Sequence, residues 1–207
     1  MIQLVIVDDE QLIASSMATL LNLEEDLEVL GTFSSGEELV QWWTKQVTTG
    51  NAVPEVLVTD LNLGGIDGIE VAQQVSSLSP ETALVIVTSH SRPLLLKKAL
   101  ATGVQGFLPK TASAEEFAAA VRTVHGGGRY IDPELAAMTI TASDSPLTER
   151  EAEVVNAAGQ GGSVEEIAQL VFLAPGTTRN YLSSAMTKIG AQNRFEAFLR
   201  AREKGWT

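Results

Sequence analysis

Carboxylates follow two apolar segments of the sequence. Asp8, Asp9 and Glu10 come directly after the apolar run that opens the chain, and Asp60 follows Val56–Thr59. If both segments are parallel strands of one sheet, their carboxyl ends share an edge and these acids converge. Clustered carboxylates repel one another unless a cation lies among them, and a few hard oxygen ligands with room for water favour Mg²⁺. Taken alone, Asp60 is equally compatible with a solvated loop residue or a helix cap.

Two further polar groups follow apolar runs later in the chain. Thr88 ends Ala83–Thr88, and Lys110 comes shortly after Gly106–Leu108. A carboxylate that accepts a phosphoryl group needs a metal and a cation to neutralise the transferred oxygens, and a donor to hold the product. The acids, Thr88 and Lys110 together contain these components. Taken singly, Thr88 is also compatible with an ordinary strand residue and Lys110 with a solvated surface lysine.

Five short β-branched runs alternate with five amphipathic stretches over residues 1–125. This alternation predicts an α/β fold, a doubly wound five-stranded parallel sheet that brings the polar strand ends to one edge. The predicted strands are Ile2–Val7, Val29–Phe33, Val56–Thr59, Ala83–Thr88 and Gly106–Leu108. The predicted helices lie near Gln11–Leu23, Glu37–Lys45, Ile66–Ser77, Pro93–Ala101 and Ala114–His125. Capping-box spacing marks four helix starts in the chain: Ser35 with Glu38, Ser113 with Glu116, Thr148 with Glu151 and Ser163 with Glu166.

The last third of the chain follows a different pattern. Three glycines from Gly126 onward end the fifth helix, and the polar, proline-flanked segment after them predicts an interdomain linker over residues 126–145. Beyond it, a small all-α domain is expected over residues 146–207. Its four helices are predicted near residues 148–159, 163–171, 175–189 and 193–204.

Composition and charge limit the classes of protein that fit. The chain has 207 residues, 44% of them hydrophobic, and no cysteine. It has no run of 18 apolar residues and no basic segment before the first apolar run, so neither a membrane span nor a secretory signal is predicted, and a reducing cytoplasm is favoured. The net charge of −12 argues against a nucleic-acid partner. However, residues 1–145 hold 7 Lys and Arg against 19 Asp and Glu, while residues 146–207 hold seven of each, which predicts two domains with different partners.

Four segments of the first domain resemble the signature segments of a two-component receiver domain: LVIVDDE, VLVTDLNLGGIDGIE, VIVTSHS and GFLPKTAS. Together they span residues 2–125. The resemblance implies that Asp60 is the phosphoacceptor, that Thr88 moves toward the phosphoryl group and that Lys110 pairs with it.

The same resemblance implies a magnesium site and a switch residue. Mg²⁺ would be held by Asp9, Asp60 and the backbone carbonyl of Asn62, with Asp8 acting mainly through water. Phe107 would change rotamer alongside Thr88, although an aromatic residue on a buried strand is also expected as core packing.

Residues 163–189 fit a capped helix, a turn and a second helix whose apolar positions 182, 185, 186 and 189 form one face. The opposite face carries Arg, Asn and hydroxyl groups, as in a helix-turn-helix reader of the major groove, although any small helical bundle has a polar exposed face. The segments LTEREAEVV, EEIAQLVFLAPGTTRNYL and KIGAQNRFEA together resemble the LuxR-type helix-turn-helix module. The implied DNA-binding residues are Thr177, Arg179, Asn180, Tyr181, Ser183, Lys188 and Arg194.

Four positions depart from the LuxR-type pattern. Ala174 stands where a Ser cap is usual, Thr178 where Val is usual, Tyr181 where His is usual, and Glu165 where Lys is common. Loss of a cap costs on the order of 1 kcal/mol, and an acid facing phosphates lowers affinity. We therefore predict weak DNA binding by the monomer, with compensation when two modules occupy adjacent half-sites. In this family the last helix pairs two modules, although its apolar stripe is also compatible with core packing.

The whole chain resembles a response regulator of the NarL/FixJ class. This implies a sensor histidine kinase as phosphodonor, Mg²⁺ as cofactor, double-stranded DNA as target and a homodimer on activation, with no membrane partner and no metabolic enzyme activity. Two rivals stay open. One is a hydrolase with Asp60 as nucleophile, which typically carries a second Asp where this chain has Asn62. The other is a regulator gated by a ligand or partner, whose receiver is never phosphorylated.

Overall fold

The computed structural model describes residues 1–89, 93–141, 145–204 and 206–207, without the side chains at 93, 94 and 138–141. The chain divides into two units, one over Met1–Ser91 with Leu95–Leu135 and one over Ala136–Thr207 with Arg92–Leu94. Within the described ranges, no helix has both the length and the apolar character needed to cross a membrane.

The first unit is built on a parallel sheet with the strand order β2-β1-β3-β4-β5-β6. This confirms the predicted doubly wound α/β fold. The strands are β1 (Ile2–Val7), β2 (Leu27–Phe33), β3 (Val56–Asp60), β4 (Ala83–Thr88), β5 (Gly106–Pro109) and β6 (Tyr130–Ile131). The helices between them are α1 (Gln11–Leu21), α2 (Gly36–Thr49), α3 (Gly68–Leu78), α4 (Pro93–Ala101) and α5 (Ala114–His125).

Alternate residues of each central strand enter separate cores on the two faces of the sheet. In β1, Val5 and Val7 pack on the side of α2, α3 and α4, while Leu4 and Ile6 pack on the side of α1 and α5. Strands buried on both faces read as continuous apolar runs, which is why they are recognisable in the sequence. This packing fixes the carboxyl ends of β1 and β3 side by side.

A sixth strand corrects the predicted count of five. β6 pairs with β5 in parallel, with Tyr130 opposite Gly106 and Ile131 opposite Phe107. It lies within the segment predicted as a linker, as does α6 (Pro133–Thr141). Two residues are too few for a period to be detected in the sequence.

The second unit contains α7 (Glu149–Gly159), α8 (Val164–Leu170), α9 (Pro175–Ile189) and α10 (Arg194–Glu203), close to the four predicted helices. Complete capping boxes start α7 and α8, as one does at α5. At α2 the box is only half formed. The Ser35 hydroxyl accepts from the Glu38 N–H, but the Glu38 carboxylate accepts a hydrogen bond from Ser34 instead.

Candidate functional site

The carboxyl ends of β1 and β3 bring three carboxylates together. Asp8 follows β1 and Asp60 ends β3, and both are buried, whereas Asp9 is exposed. One oxygen from each of the three lies within 4.8 Å of the others. The backbone of Asp8 is held in the sheet, because its N–H donates to the Phe33 carbonyl at 3.1 Å. The predicted convergence of acids at this edge is present in the structure.

Lys110 inserts its ammonium group among these acids. Its backbone N–H donates to the Thr88 carbonyl at 2.8 Å, which ties it to the end of β4. Its Nζ lies 2.8 Å from Asp8 Oδ2, 2.9 Å from Asp60 Oδ2 and 2.9 Å from Glu10 Oε1. The side chain is only 5% exposed. Lys110 is therefore a buried cation of the pocket and not a solvated surface lysine.

Burial and hydrogen bonding act against each other on the charges of this pocket. Burial raises the pKa of the Asp8 carboxyl and outweighs the hydrogen bond from Lys110 that lowers it. For Lys110, burial lowers the pKa, but hydrogen bonds to Asp8, Glu10 and Asp60 raise it above its ordinary value. The lysine therefore stays protonated at physiological pH. Among the described residues, one cation, Lys110, lies with four acids, including Asp9, so the pocket attracts a further cation.

Two carboxylate oxygens of the pocket show where such a cation fits. Asp8 Oδ2 and Asp60 Oδ1 are buried and accept no hydrogen bond from any described residue. Asp8 Oδ2 is close to Lys110, but it is Oδ1 that accepts the hydrogen bond, at 3.0 Å. Buried oxygens without donors are costly, and a hard divalent cation satisfies them. Asp8, Asp9 and Asp60 therefore fit Mg²⁺, which prefers a few carboxylates and several waters.

Asp9→Asn is expected to weaken Mg²⁺ binding by about tenfold, because it replaces one of the three converging carboxylates with a neutral amide. Isothermal titration calorimetry on the full chain measures this directly. Glu38→Gln removes one charge from the same cavity as Asp8 without touching the converging oxygens, so its affinity should stay within about twofold of wild type. Equal affinities for Asp9→Asn and wild type would contradict the assignment.

The other predicted receiver residues lie at different depths. Thr88 ends β4 and is 1% exposed, and Phe107 is equally buried in the core on β5. Asn62 lies two residues beyond Asp60 in the β3–α3 loop and is exposed, although its neighbours Leu61 and Leu63 are buried. His90, which occupies the position two residues after Thr88, is outside the described residues. The structure thus brings Lys110 onto the acids and leaves the Phe107 ring among apolar side chains.

The first turn of α3 lies directly against the backbone of Asp60. Gly68 is buried, its N–H donates to the Leu61 carbonyl at 3.0 Å, and a Cβ at this position would overlap the Asp60 carbonyl oxygen. A side chain of α2 also stabilises the β3–α3 loop, because Glu37 Oε1 accepts a hydrogen bond from the Ile66 N–H at 3.1 Å. The backbone that carries Asp60 is therefore fixed by a contact that only glycine allows.

In the second unit, α9 presents a polar outer surface. Two residues of α9 are buried, as the helical periodicity predicts: Leu182 lies in one small hydrophobic core of this unit and Ala185 in another. The helix begins without a side-chain cap, since Ala174 has no acceptor. The predicted DNA-binding residues divide by exposure: Thr177, Arg179, Asn180, Ser183 and Lys188 are exposed, whereas Tyr181 and Arg194 are half-buried.

Both cations of α9 already pair with acids from other helices. Lys188 Nζ lies 2.7 Å from Glu151 Oε2, and the Ser184 hydroxyl donates to Glu151 Oε1 at 2.6 Å. Burial raises the pKa of Glu151, but the hydrogen bonds from Lys188 and Ser184 outweigh it and lower the pKa to about 2. Arg179 lies 3.8 Å from Glu165, with both side chains exposed. Any anion that approaches these two cations would have to compete with the acids already paired with them.

Two protein families match the chain in the order of its two units. The family described as "Response regulator receiver domain" matches residues 4–122. The family described as "Bacterial regulatory proteins, luxR family" matches residues 145–201. The chain belongs to the response regulators with a LuxR-type DNA-binding domain. This combination makes it a transcriptional regulator of a two-component system.

Relatives of this response regulator match it along its whole length. The transcriptional regulatory protein DesR of Bacillus subtilis is 35% identical over 206 residues, which cover 100% of this chain and 99% of DesR. UhpA of Escherichia coli is also 35% identical, with all of both chains covered. A solved structure of RcsB from Salmonella typhimurium aligns with a TM-score of 0.65 at 21% identity, covering 98% of this chain and 100% of RcsB. The likeness to RcsB concerns the fold.

The sequence did not indicate the roles of three residues of the response regulator. Glu10, in the acidic run that follows β1, was expected only to converge with the other acids, and its contact with Lys110 joins residues 100 positions apart. Glu151 was expected only to cap α7, whereas its carboxylate also holds Lys188. Gly68 carries no functional group, and the only sequence feature that marks it is its position directly after Asp67, the cap residue of α3.

Proposed function

We propose that Asp60 accepts a phosphoryl group from the phosphohistidine of a sensor histidine kinase in the cytoplasm. An Asp60 oxygen attacks the phosphorus, the P–N bond of the donor breaks, and its electron pair stays on the imidazole nitrogen, which takes up a proton. The product is an acyl phosphate on Asp60. The observation that carries this proposal is the contact of Lys110 Nζ with Asp60 Oδ2, in a pocket where two buried carboxylate oxygens, Asp8 Oδ2 and Asp60 Oδ1, accept no hydrogen bond from any described residue.

Four other groups assist the transfer. Mg²⁺, held by Asp8, Asp9 and Asp60 with the Asn62 carbonyl, supplies positive charge for the transferred oxygens. Lys110 pairs with the phosphoryl group, the Thr88 hydroxyl moves toward it, and Phe107 changes rotamer alongside. Hydrolysis of the acyl phosphate resets the receiver. The chain catalyses only its own phosphorylation and dephosphorylation and is not a metabolic enzyme.

The phosphorylated receiver, residues 1–125, controls DNA binding by residues 146–207 through the segment 126–145. The exposed face of α9 approaches base edges with Arg179, Asn180 and Ser183, and Thr177, Tyr181, Lys188 and Arg194 lie nearer the phosphates. RcsB has been solved in complex with DNA and as DNA-bound dimers, which supports DNA binding by a homodimer here. Exposed Phe195 and Leu199 on α10 offer an apolar pairing surface for a second copy.

The decisive experiment compares the chain with and without a beryllofluoride–Mg²⁺ phosphoryl mimic. We expect the mimic to raise the sedimentation coefficient toward that of a dimer and to increase retardation of duplex DNA. Asp60→Asn should show neither change, because the mimic needs the Asp60 carboxylate as ligand. If the mimic alters neither property in wild type, phosphorylation does not control this protein.

Arg179→Ala is expected to weaken DNA binding by about tenfold, because it removes a base contact. Glu165→Gln should strengthen DNA binding about threefold. Glu165 then no longer competes with DNA for Arg179, and the DNA phosphates approach a surface with one negative charge fewer. Retardation assays at fixed salt concentration measure both. Arg202→Ala, which removes an exposed arginine from α10, is the control and should stay within about twofold of wild type. Tighter binding by Arg179→Ala would contradict this assignment.

A further inference from the structure

Three carboxylates contact the ammonium group of Lys110, and they differ sharply in exposure. The Asp8 side chain is 0% exposed and that of Asp60 is 4% exposed, whereas that of Glu10 is 57% exposed. The Lys110 ammonium donates to Glu10 Oε1 at 2.9 Å. An ammonium group has three N–H donors, so three carboxylates suffice to occupy all of them.

The Glu10 carboxylate has no other partner among the residues that the structure describes. Glu10 is the N-cap residue of α1, yet its side chain makes no capping hydrogen bond. Its backbone N–H donates to Asp8 Oδ1 at 2.9 Å, which fixes the start of the side chain beside the pocket. Its oxygens are also outside the group of converging acids that fits Mg²⁺. Within the described part of the chain, the Glu10 carboxylate therefore pairs with Lys110 alone.

A phosphoryl oxygen that approaches Lys110 must displace one of these three acceptors. Asp8 is buried, so its release would leave an uncompensated charge out of water, which is costly. Asp60 carries the phosphoryl group itself. Glu10 can return to water at little cost, because exposed ion pairs contribute little to stability. The carboxylate that gives way is therefore Glu10.

We propose that Glu10 acts on the phosphorylation site through Lys110: in the resting pocket its carboxylate occupies one donor of the ammonium group, and it competes with the incoming phosphoryl group for that donor. The inference rests on the proposed function of Asp60 and adds a residue to that site. Without the charge of Glu10, Lys110 keeps its contacts with Asp8 and Asp60 and has a donor available for the anion.

Glu10→Gln tests this, because it removes the charge and keeps the size of the side chain. Titration with beryllofluoride at saturating Mg²⁺, followed by ¹⁹F NMR, should show about threefold to fivefold tighter binding than in wild type. Calorimetric titration with Mg²⁺ alone should show about twofold weaker binding, because the pocket has lost a negative charge. The two affinities thus change in opposite directions, whereas a damaged pocket would weaken both.

Glu38→Gln is the matched control. Glu38 lines the same cavity as Asp8, but its carboxylate accepts a hydrogen bond from Ser34 and does not contact Lys110. We expect Glu38→Gln to bind beryllofluoride within about twofold of wild type. Equal tightening in both variants, or no tightening in Glu10→Gln, overturns the role of Glu10 even though wild type binds the mimic. Failure of wild type to bind it overturns the proposed function of Asp60 instead.

Discussion

Asp60→Asn is expected to reduce phosphorylation by at least about 100-fold, because an amide oxygen is a far weaker nucleophile than a carboxylate oxygen. The full chain is incubated with Mg²⁺ and a small phosphodonor such as acetyl phosphate, and the mass of the intact protein is measured. Wild type should gain the mass of one phosphoryl group, and the variant should gain none. A peptide digest should place the modification at residue 60.

Asp67→Asn is the matched control for this experiment. Asp67 ends the same loop and caps α3 by accepting from the Glu70 N–H at 2.8 Å. Asn caps a helix about as well as Asp, so this variant should be phosphorylated like wild type. Steady turnover of a generic phosphate ester, abolished by Asp60→Asn, would instead favour the rival hydrolase. Phosphorylation that persists in Asp60→Asn would place the acceptor elsewhere.

Glu151→Gln is expected to destabilise the DNA-binding unit by about 2 kcal/mol. The buried carboxylate of Glu151 accepts from Lys188, from Ser184 and from the N–H of Thr148, and the neutral amide leaves the lysine without its counterion. Hydrogen exchange of the α7 and α9 amides in the full chain measures the effect, as a loss of protection of about 30-fold. Glu153→Gln, which breaks an exposed pair with Arg150 on the same helix, should change protection by less than about fivefold.

The contribution of Glu151 also has a defined pH dependence. Its pKa in the folded protein is about 2, below the ordinary value of 4.5, so it stabilises the fold fully above pH 4.5. This stabilisation is lost progressively as the pH falls from 4.5 toward 2. The difference in protection between wild type and Glu151→Gln should therefore be constant between pH 6 and 8 and shrink below pH 4. A difference that is the same at pH 3 and at pH 7 would contradict a charged Glu151 as its source.

The arrangement of the acidic pocket was predictable from the sequence because it depends on strand ends. The apolar runs before Asp8, Asp60 and Lys110 identify buried parallel strands, and the order of strands then determines which ends meet. β6 was not predictable, because two residues carry no period and their pairing depends on the turn that follows α5.

The contacts between side chains of different helices could not be predicted from the sequence either. The phase of α9 predicts that Lys188 points outward, and the residue is indeed exposed. Helical phase does not reveal that Glu151 of α7 lies within 2.7 Å of it. In the same way, the acidic run predicts a negative pocket, but not that Glu10 reaches Lys110. Such contacts depend on the distance between packed elements, which local patterns do not encode.

The contact between Gly68 and the Asp60 carbonyl has a consequence for mutational surveys of this protein. Residue 68 has no functional group, yet even a methyl group there would push the first turn of α3 away from the strand that carries Asp60. In a saturation library selected for promoter output, substitutions at this codon should therefore be depleted as strongly as those at the pocket acids. From depletion alone, the steric need for glycine at residue 68 would look like a chemical role in the pocket. Measuring the abundance of each variant protein separates these two explanations.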